Sequence, residues 1–179
     1  PLYSSAASDV YKRQFHTCAV AKNKTLWCWG VNDSGQLGVA GPLFKTKPLK
    51  VNADKNWSSV FAGLQHTCAT KTTGTLYCWG NNFYGQLGDG TTADKFVPTL
   101  LGADTNWTSV SAGGDHTCAL KNTGTLFCWG NNVDGQLGDG TNVLKKVPTQ
   151  VGVLTTWALV SAGYSHTCAT QIDGTLFCW

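Results

Sequence analysis

The chain has 179 residues, is 42% hydrophobic and carries a formal net charge of +3. That length suits one ordinary domain, and no stretch approaches the roughly 20 apolar residues that insertion into a bilayer requires. The only arginine is Arg13, and the lysines are scattered along the chain. Because nucleic-acid binders usually cluster basic residues and read phosphate and guanine with arginine, we expect neither a nucleic-acid partner nor membrane insertion.

Residues 1–14 depart from the pattern of the remaining chain. Lys12 and Arg13 stand where later segments have an Ala-Gly pair, as at Ala62 and Gly63. The segment also resembles the translated end of an adapter used in sequencing libraries. We therefore expect residues 1–14 to be a non-native leader, separate from a folded domain over residues 15–179.

From residue 15 onward the chain repeats itself every fifty residues. One histidine recurs at this period, at His16, His66, His116 and His166. A fixed period of this length indicates one supersecondary unit that is copied and stacked, so recurring residues are expected to build the stack. The predicted repeats cover residues 15–56, 57–106, 107–156 and 157–179, approximately.

The third copy shows the predicted strands. Strong helix formers are scarce, since the chain has no Met and no Glu, whereas Thr, Val, Gly and aromatic residues are common; this composition favours short strands and tight turns. Pro148 restricts its segment to an edge strand. The predicted strands are residues 107–113, 116–120, 125–130 and 147–151, with a turn at 121–124.

The hairpin in this copy has a predicted register. If residues 122–124 form the loop, Leu120 faces Leu126 and Cys118 faces Cys128. Both faces of the resulting sheet are largely apolar, so both must be covered. A small sheet packed between copies of itself is typical of a propeller blade, and a solenoid is the alternative.

The eight cysteines form four Cys-x9-Cys pairs, and each pair lies directly across the predicted hairpin. Cross-strand cysteines can come within bridging range, so disulfides in an oxidising compartment are one interpretation. Reduced thiols in the core are a second. Metal binding is a third, although structural zinc needs four ligands and no fourth recurs. The pairs are Cys18/Cys28, Cys68/Cys78, Cys118/Cys128 and Cys168/Cys178.

The recurring motif resembles the regulator of chromosome condensation (RCC1) repeat. It consists of His-Thr-Cys-Ala, a turn, and Gly-Thr-Leu-(Tyr/Phe)-Cys-Trp-Gly-x-Asn-x-x-Gly-Gln-Leu-Gly, which residues 66–88 and 116–138 match throughout and residues 16–38 and 166–179 match in part. This resemblance implies an all-β, seven-bladed propeller. Seven such repeats need about twice the present length, so we expect about half of the ring, with the other blades missing.

The resemblance suggests several functions but does not select one. The family's founder is a chromatin-bound guanine-nucleotide exchange factor, and the paired cysteines look like those of secreted or surface-exposed bacterial relatives, one of which inhibits β-lactamases. A propeller lyase is a further alternative. Function depends on the site and not on the fold. We expect a non-enzymatic scaffold, extracellular or at a bacterial cell surface, that binds an unidentified protein and needs no cofactor.

Other recurring residues are expected to have structural roles. The histidine could be a general base, but one base in every repeat favours a buried side chain that donates to a loop carbonyl. Trp79, Trp129 and Trp179 could stack on sugars or bases, yet packing between blades is the simpler interpretation. The Gly-Gln-Leu-Gly segments are expected to be turns tied by the Gln amide. Calcium at Asp134 and Asp139 would lack ligands, so no catalytic or metal site is predicted.

The positions that differ between copies are the candidates for binding. They follow the Ala-Gly pair or lie inside the Asn-x-x-Gly turn, and loops on a rigid scaffold commonly carry binding sites. Aromatic residues among them are the best candidate anchors. The predicted partner-binding residues are Leu64, Gln65, Phe83, Tyr84, Asp115, Val133, Asp134 and Tyr164.

Overall fold

The computed structural model describes the backbone of residues 7–12 and the whole of residues 15–179. The described residues form fifteen strands in four antiparallel sheets, and none forms a helix that is long and apolar enough to cross a membrane. The prediction that residues 1–14 are a separate leader stays a prediction. Residues 1–6, 13 and 14 lie outside the described part, and the backbone of residues 7–12 forms a strand paired with the next.

Each sheet is one blade, and its strands follow each other in chain order. Blade 1 contains β1 (Ala7–Lys12), β2 (His16–Ala21), β3 (Leu26–Val31) and β4 (Phe44–Lys50). Blade 2 contains β5 (Trp57–Ala62), β6 (His66–Lys71), β7 (Leu76–Gly80) and β8 (Lys95–Leu100). Blade 3 contains β9 (Trp107–Ala112), β10 (His116–Lys121), β11 (Leu126–Gly130) and β12 (Lys145–Gln150). Blade 4 contains β13 (Trp157–Ala162), β14 (Thr167–Gln171) and β15 (Leu176–Cys178).

The blades are arranged around an axis as part of a propeller. The first strands of successive blades contact each other, β1 with β5, β5 with β9 and β9 with β13, so these strands lie innermost. The second strand of each blade also contacts the first strand of the next blade. This radial stacking of small sheets is a β-propeller arc, as the sequence predicts.

The hairpin register of blade 3 is the predicted one. Cys118 pairs with Cys128 and Leu120 with Leu126, and the turn closes with a 3.1 Å bond from the Lys121 amide to the Thr125 carbonyl. The outer strand β12 begins at Lys145, two residues before the predicted start. The ladder between β11 and β12 shifts register between Cys128 and Gly130, an irregularity that hydrophobic alternation does not reveal.

The hydrophobic core lies between the blades. Each cluster is formed by side chains from the facing sides of two neighbouring blades. It includes a tryptophan from the third strand of the later blade, and Trp79 and Trp129 are fully buried there. One such cluster contains Cys68, Leu76, Cys78, Leu87, Leu101, Trp107, Val110, Ala119 and Trp129. The predicted role of these tryptophans in packing between blades is therefore confirmed.

Disulfides join the two cysteines of every predicted pair. They connect Cys18 to Cys28, Cys68 to Cys78, Cys118 to Cys128 and Cys168 to Cys178. The first three lie inside the clusters between blades. Each therefore ties the two central strands of its blade at the point where the next blade packs.

Candidate interaction face

The strand order brings the variable loops to one end of every blade. In an antiparallel meander, the connection between the first and second strands and the connection between the third and fourth lie at the same end. We call this end the loop face. The hairpin turn between the second and third strands, residues 122–124 in blade 3, lies at the opposite end of the blade. The loop face consists of residues 32–43, 63–65, 81–94, 113–115, 131–144 and 163–165.

Backbone hydrogen bonds connect the loops of this face to each other. Within blade 2 the Asn81 amide donates to the Gln65 carbonyl at 2.9 Å. Between blades the Leu64 amide donates to the Gly113 carbonyl at 3.1 Å, and the Gly114 amide donates to the Tyr164 carbonyl at 3.2 Å. The loops of blades 2 to 4 are therefore joined into one hydrogen-bonded surface.

All eight predicted binding residues lie on the loop face. Three apolar side chains are prominently exposed, with Phe83 at 70%, Val133 at 62% and Tyr164 at 62%. Phe83 also packs edge-to-face on Tyr84, with ring centroids 4.9 Å apart. Asp134 is exposed, while Leu64, Gln65, Tyr84 and Asp115 are half-buried. The structure thus places these residues together, and their part in binding stays a prediction.

Asp115 is a half-buried acidic residue at the inner part of the loop face. Burial raises the pKa of its carboxyl above the ordinary value. No ion pair involves this side chain in the part of the chain that the structure describes. Its backbone carbonyl accepts a 2.8 Å bond from the Asn131 amide, which fixes its position.

A glutamine turn holds each outer loop in place. The Gln86 side-chain oxygen accepts from the Tyr84 amide at 2.9 Å, and its nitrogen donates to the Asn81 side-chain oxygen at 2.7 Å. The Asn82 side-chain oxygen accepts from the Leu87 amide at 3.0 Å. The predicted role of the Gln amide in tying backbone groups is confirmed.

The recurring histidine takes part in a network that joins neighbouring blades. His66 Nε2 lies 2.9 Å from the Thr117 hydroxyl, and that hydroxyl donates to the Gln86 carbonyl at 2.8 Å. Trp129 Nε1 donates to the same carbonyl at 2.9 Å. Because the Thr117 hydroxyl donates its proton to the Gln86 carbonyl, its oxygen can only accept from His66. The imidazole must therefore donate through Nε2. We call this arrangement the His–Thr–Gln network.

The network recurs at all three boundaries between blades. The predicted partner of the histidine, a loop carbonyl, is wrong in one detail, because a threonine hydroxyl of the next blade stands between the two groups. Sequence inspection missed this threonine and the glutamine carbonyl, although His-Thr and Gly-Gln-Leu-Gly recur at a fixed offset. The other two networks are His16, Thr67, Gln36 and Trp79, and His116, Thr167, Gln136 and Trp179.

His16 illustrates the electrostatics of this position. Burial lowers the pKa of its imidazole to about 4, although the charge of Asp33 acts in the opposite direction. The ring is therefore neutral at pH 7 and is already committed to the Thr67 hydroxyl at 2.7 Å. Such a group holds two blades together and is poorly suited to general-base chemistry.

The acidic residues near the glutamine turn are already engaged with protein donors. Asp139 accepts from the Thr141 amide at 2.9 Å, from the Thr141 hydroxyl at 2.7 Å and from Asn132 at 3.1 Å, and it pairs with Lys145 at 3.2 Å. Burial favours a higher pKa, but these hydrogen bonds outweigh it and lower the pKa of Asp139 below its usual value. No cluster of three metal-ligating side chains occurs among the described residues.

Fold and site together define a repeat-built propeller arc whose shared residues join the blades and whose variable loops form one surface. A sequence profile described as the regulator of chromosome condensation (RCC1) repeat matches residues 25–70, 73–120 and 123–170. A second profile of the same description matches residues 57–86 and 107–136. The first covers more than half of the chain, which belongs to the RCC1 repeat family. No curated protein matches the chain.

Solved structures share this fold at low sequence identity. Prp20p of Saccharomyces cerevisiae, described with its binding to Gsp1p and histones, aligns with a TM-score of 0.82 and 24% identity over 92% of this chain and 43% of its own. Yeast RCC1 (Prp20) bound by Kap60 aligns with a TM-score of 0.87 and 22% identity over 100% of this chain and 45% of its own. The ectodomain of the Physcomitrella patens receptor kinase CR4 aligns with a TM-score of 0.60 and 18% identity over 95% of this chain and 40% of its own. The chain thus spans less than half of these structures.

Proposed function

We propose that this chain is a non-enzymatic propeller scaffold that binds a protein partner through its loop face. The observation that carries the proposal is that recurring residues and variable residues have different roles. The recurring His, Thr, Trp and Gln are occupied in bonds between blades, whereas the residues that differ between copies meet on one braced surface. Loops held by a rigid scaffold are common sites of recognition.

The chemistry of the loop face indicates what the partner must offer. Phe83, Val133 and Tyr164 are exposed apolar side chains, and aromatic anchors contribute strongly to protein interfaces. Asp115 is a half-buried carboxylate that would gain an ion pair from an arginine or lysine of the partner. The proposed epitope is thus an apolar surface that carries a cation. Prp20p, described with its binding to Gsp1p and histones, lends support as a protein-binding relative.

An extracellular or cell-surface location, in a bacterium, is the setting that we propose. The extracellular part of this proposal is supported by the four disulfides, because such bonds persist mainly in oxidising compartments, and by the occurrence of this fold in the CR4 ectodomain. Thiol titration of the denatured, unreduced protein from its native source should find no free thiol. Eight free thiols would overturn this setting.

A comparison of two surfaces tests the binding function. The wild-type chain, a Phe83→Ser/Tyr164→Ser variant and an Ile172→Ser control are immobilised and exposed to secreted and surface proteins of the host. Ile172 is equally exposed, at 75%, but lies in a hairpin at the opposite end of blade 4. A protein that wild type and control retain, and that the loop-face variant loses, is the expected result. Retention by all three, or by none, contradicts the proposal.

A further inference from the structure

A groove of about 360 Å³ opens between blades 2 and 3. Its apolar lining includes Trp107, Phe127 and Pro148, and its charged lining includes Asp104 and Lys121. The Lys121 ammonium lies 4.8 Å from the Trp107 ring and 2.7 Å from Asp104, which holds these groups in fixed positions. A mostly apolar concavity of this size with a few placed polar groups is typical of a small ligand site.

An unsatisfied donor lies at the groove. Trp107 is only 4% exposed, and its indole Nε1 is buried without an acceptor among the described residues. A buried donor that lacks a partner is unfavourable, because it has lost its hydrogen bond to water and gained none in the protein. The same atom in blade 2 is satisfied, since Trp57 Nε1 donates to the Asn52 side-chain oxygen at 3.2 Å.

The two tryptophans have matching aromatic and lysine neighbours, although the backbone five positions earlier differs, since Gly102 has φ +61° and Asn52 does not have a positive φ. Trp57 lies edge-on to Tyr77 at 5.4 Å, and Trp107 lies edge-on to Phe127 at 5.5 Å. Each ring also faces a lysine ammonium, at 4.9 Å from Trp57 and 4.8 Å from Trp107. By analogy with Trp57, we infer that an acceptor for the Trp107 N–H would lie near the residue five positions earlier.

That residue is Asn52 in blade 2 and Gly102 in blade 3. Gly102 lines the groove, and a Cβ added to it would meet no atom within 4 Å. In blade 2 the Asn52 carboxamide uses both of its ends, because its nitrogen donates to Asp54 at 3.1 Å. The counterpart of Asp54 in blade 3 is Asp104, which also lines the groove.

We propose that the groove binds a primary carboxamide, the side chain of an asparagine in a partner polypeptide. The amide oxygen accepts from Trp107 Nε1, and the amide nitrogen donates to the Asp104 carboxylate, as Asn52 does within blade 2. Trp107 Nε1 is buried in the unbound chain, so binding requires that the segment around Gly102 shift and open the indole to the ligand. A carboxylate ligand is disfavoured because it would face Asp104, while Lys121 is already paired with that aspartate. This site does not depend on the loop face and goes beyond the proposed function.

Blade 4 provides an internal control. Trp157 Nε1 is likewise buried without an acceptor in the described part of the chain, and Gly152 stands five positions before it. However, Leu154 replaces the aspartate. Trp157 thus offers the donor without the carboxylate, and it should respond weakly to the same ligand.

The test uses the complete chain with 15N-labelled tryptophan and follows each indole N–H resonance by NMR. Capped Ala-Asn-Ala should shift the Trp107 resonance saturably, and capped Ala-Asp-Ala should bind about tenfold or more weakly, as expected for loss of one charged hydrogen bond. Asn52→Gly should make Trp57 respond in the same way. Asp104→Ala should weaken binding about tenfold, with an unchanged melting curve as the folding control.

Four results would overturn the proposal. A Trp107 resonance that does not move with Ala-Asn-Ala excludes the site. Equal responses to the Asn and Asp peptides, or an Asp104→Ala variant that is folded and binds like wild type, exclude carboxamide recognition. If propionamide binds as tightly as the peptide, the site recognises free amides, and the polypeptide source is wrong.

Discussion

Side chains at the boundaries between blades are the same in each repeat, whereas side chains on the loop face differ from one repeat to the next. At all three boundaries the His–Thr–Gln network has the same partners, with donor–acceptor distances between 2.7 and 3.0 Å. On the loop face the corresponding positions carry different side chains in each copy, as Phe83 and Val133 show. Selection for stacking fixes a residue in every repeat, whereas a residue that contacts a partner needs to suit only its own place on the surface.

Glycine contributes to the boundary as directly as the large side chains do. Gly88 has φ +76°, and a Cβ at this position would lie 2.6 Å from Trp129 Nε1. Only a residue without a side chain lets the indole approach the loop of the preceding blade. The same close approach recurs between Gly38 and Trp79.

The largest expected effect comes from removing a tryptophan at a boundary. Trp129→Ala creates a cavity and removes the bond to the Gln86 carbonyl, so it should lower the free energy of unfolding by about 3–5 kcal/mol. Phe83→Ala on the loop face should change it by less than about 0.5 kcal/mol. Urea unfolding of both variants measures the contrast, and equal losses would contradict the division between boundary and face.

Acid should weaken the boundary between blades 1 and 2 through His16. Its folded pKa of about 4 lies below the value of about 6.5 expected in the unfolded chain, so the unfolded state takes up the proton first. The contribution of His16 is complete above pH 6.5 and is lost as the pH falls to about 4, a change of about 3 kcal/mol.

Unfolding measured from pH 7 to pH 4 checks this dependence. His16→Gln should make the profile shallower between these limits, whereas His166→Gln, at an exposed position, should leave it as steep as in wild type. A wild-type slope in the His16 variant would show that another group is responsible.

A smaller effect is expected from the aspartate that holds an outer loop. Asp139→Asn replaces a carboxylate that accepts three hydrogen bonds and pairs with Lys145, so it should cost about 1 kcal/mol. Blade 1 has Val39 at the same position and closes its loop through the Val39 carbonyl instead. Thermal unfolding should separate Asp139→Asn from Asp134→Asn, which changes an exposed carboxylate, and equal melting temperatures would be the contrary result.

Local patterns predicted the blade better than the contacts between blades. The alternation of residues 116–120 and the turn ending at Gly124 sufficed for the hairpin register, because both signals lie within ten residues. The bond from Thr117 to the Gln86 carbonyl joins groups that are 31 residues apart, and its acceptor is a backbone atom that any residue supplies. The fixed offset between His-Thr and Gly-Gln-Leu-Gly can be interpreted as a contact only once the blades are stacked.

The candidate sites likewise include one part that the sequence predicted and one part that only the structure revealed. Variation between copies identified residues such as Phe83 and Tyr164, and the meander placed them together. The Trp107 groove was not foreseen, since it depends on what Gly102 lacks in comparison with Asn52. A missing side chain becomes informative only when the structure shows which donor it leaves without an acceptor.

A double-mutant cycle on His66 and Thr117 tests most directly whether the recurring residues join the blades. The single variants His66→Gln and Thr117→Val and the double variant are compared with wild type by urea unfolding, and the exposed pair Thr123 and Thr125 serves as control. We predict a coupling energy of about 1–2 kcal/mol for His66 and Thr117 and almost none for the control. Additive losses within about 0.3 kcal/mol would show that the two side chains do not act together across the boundary.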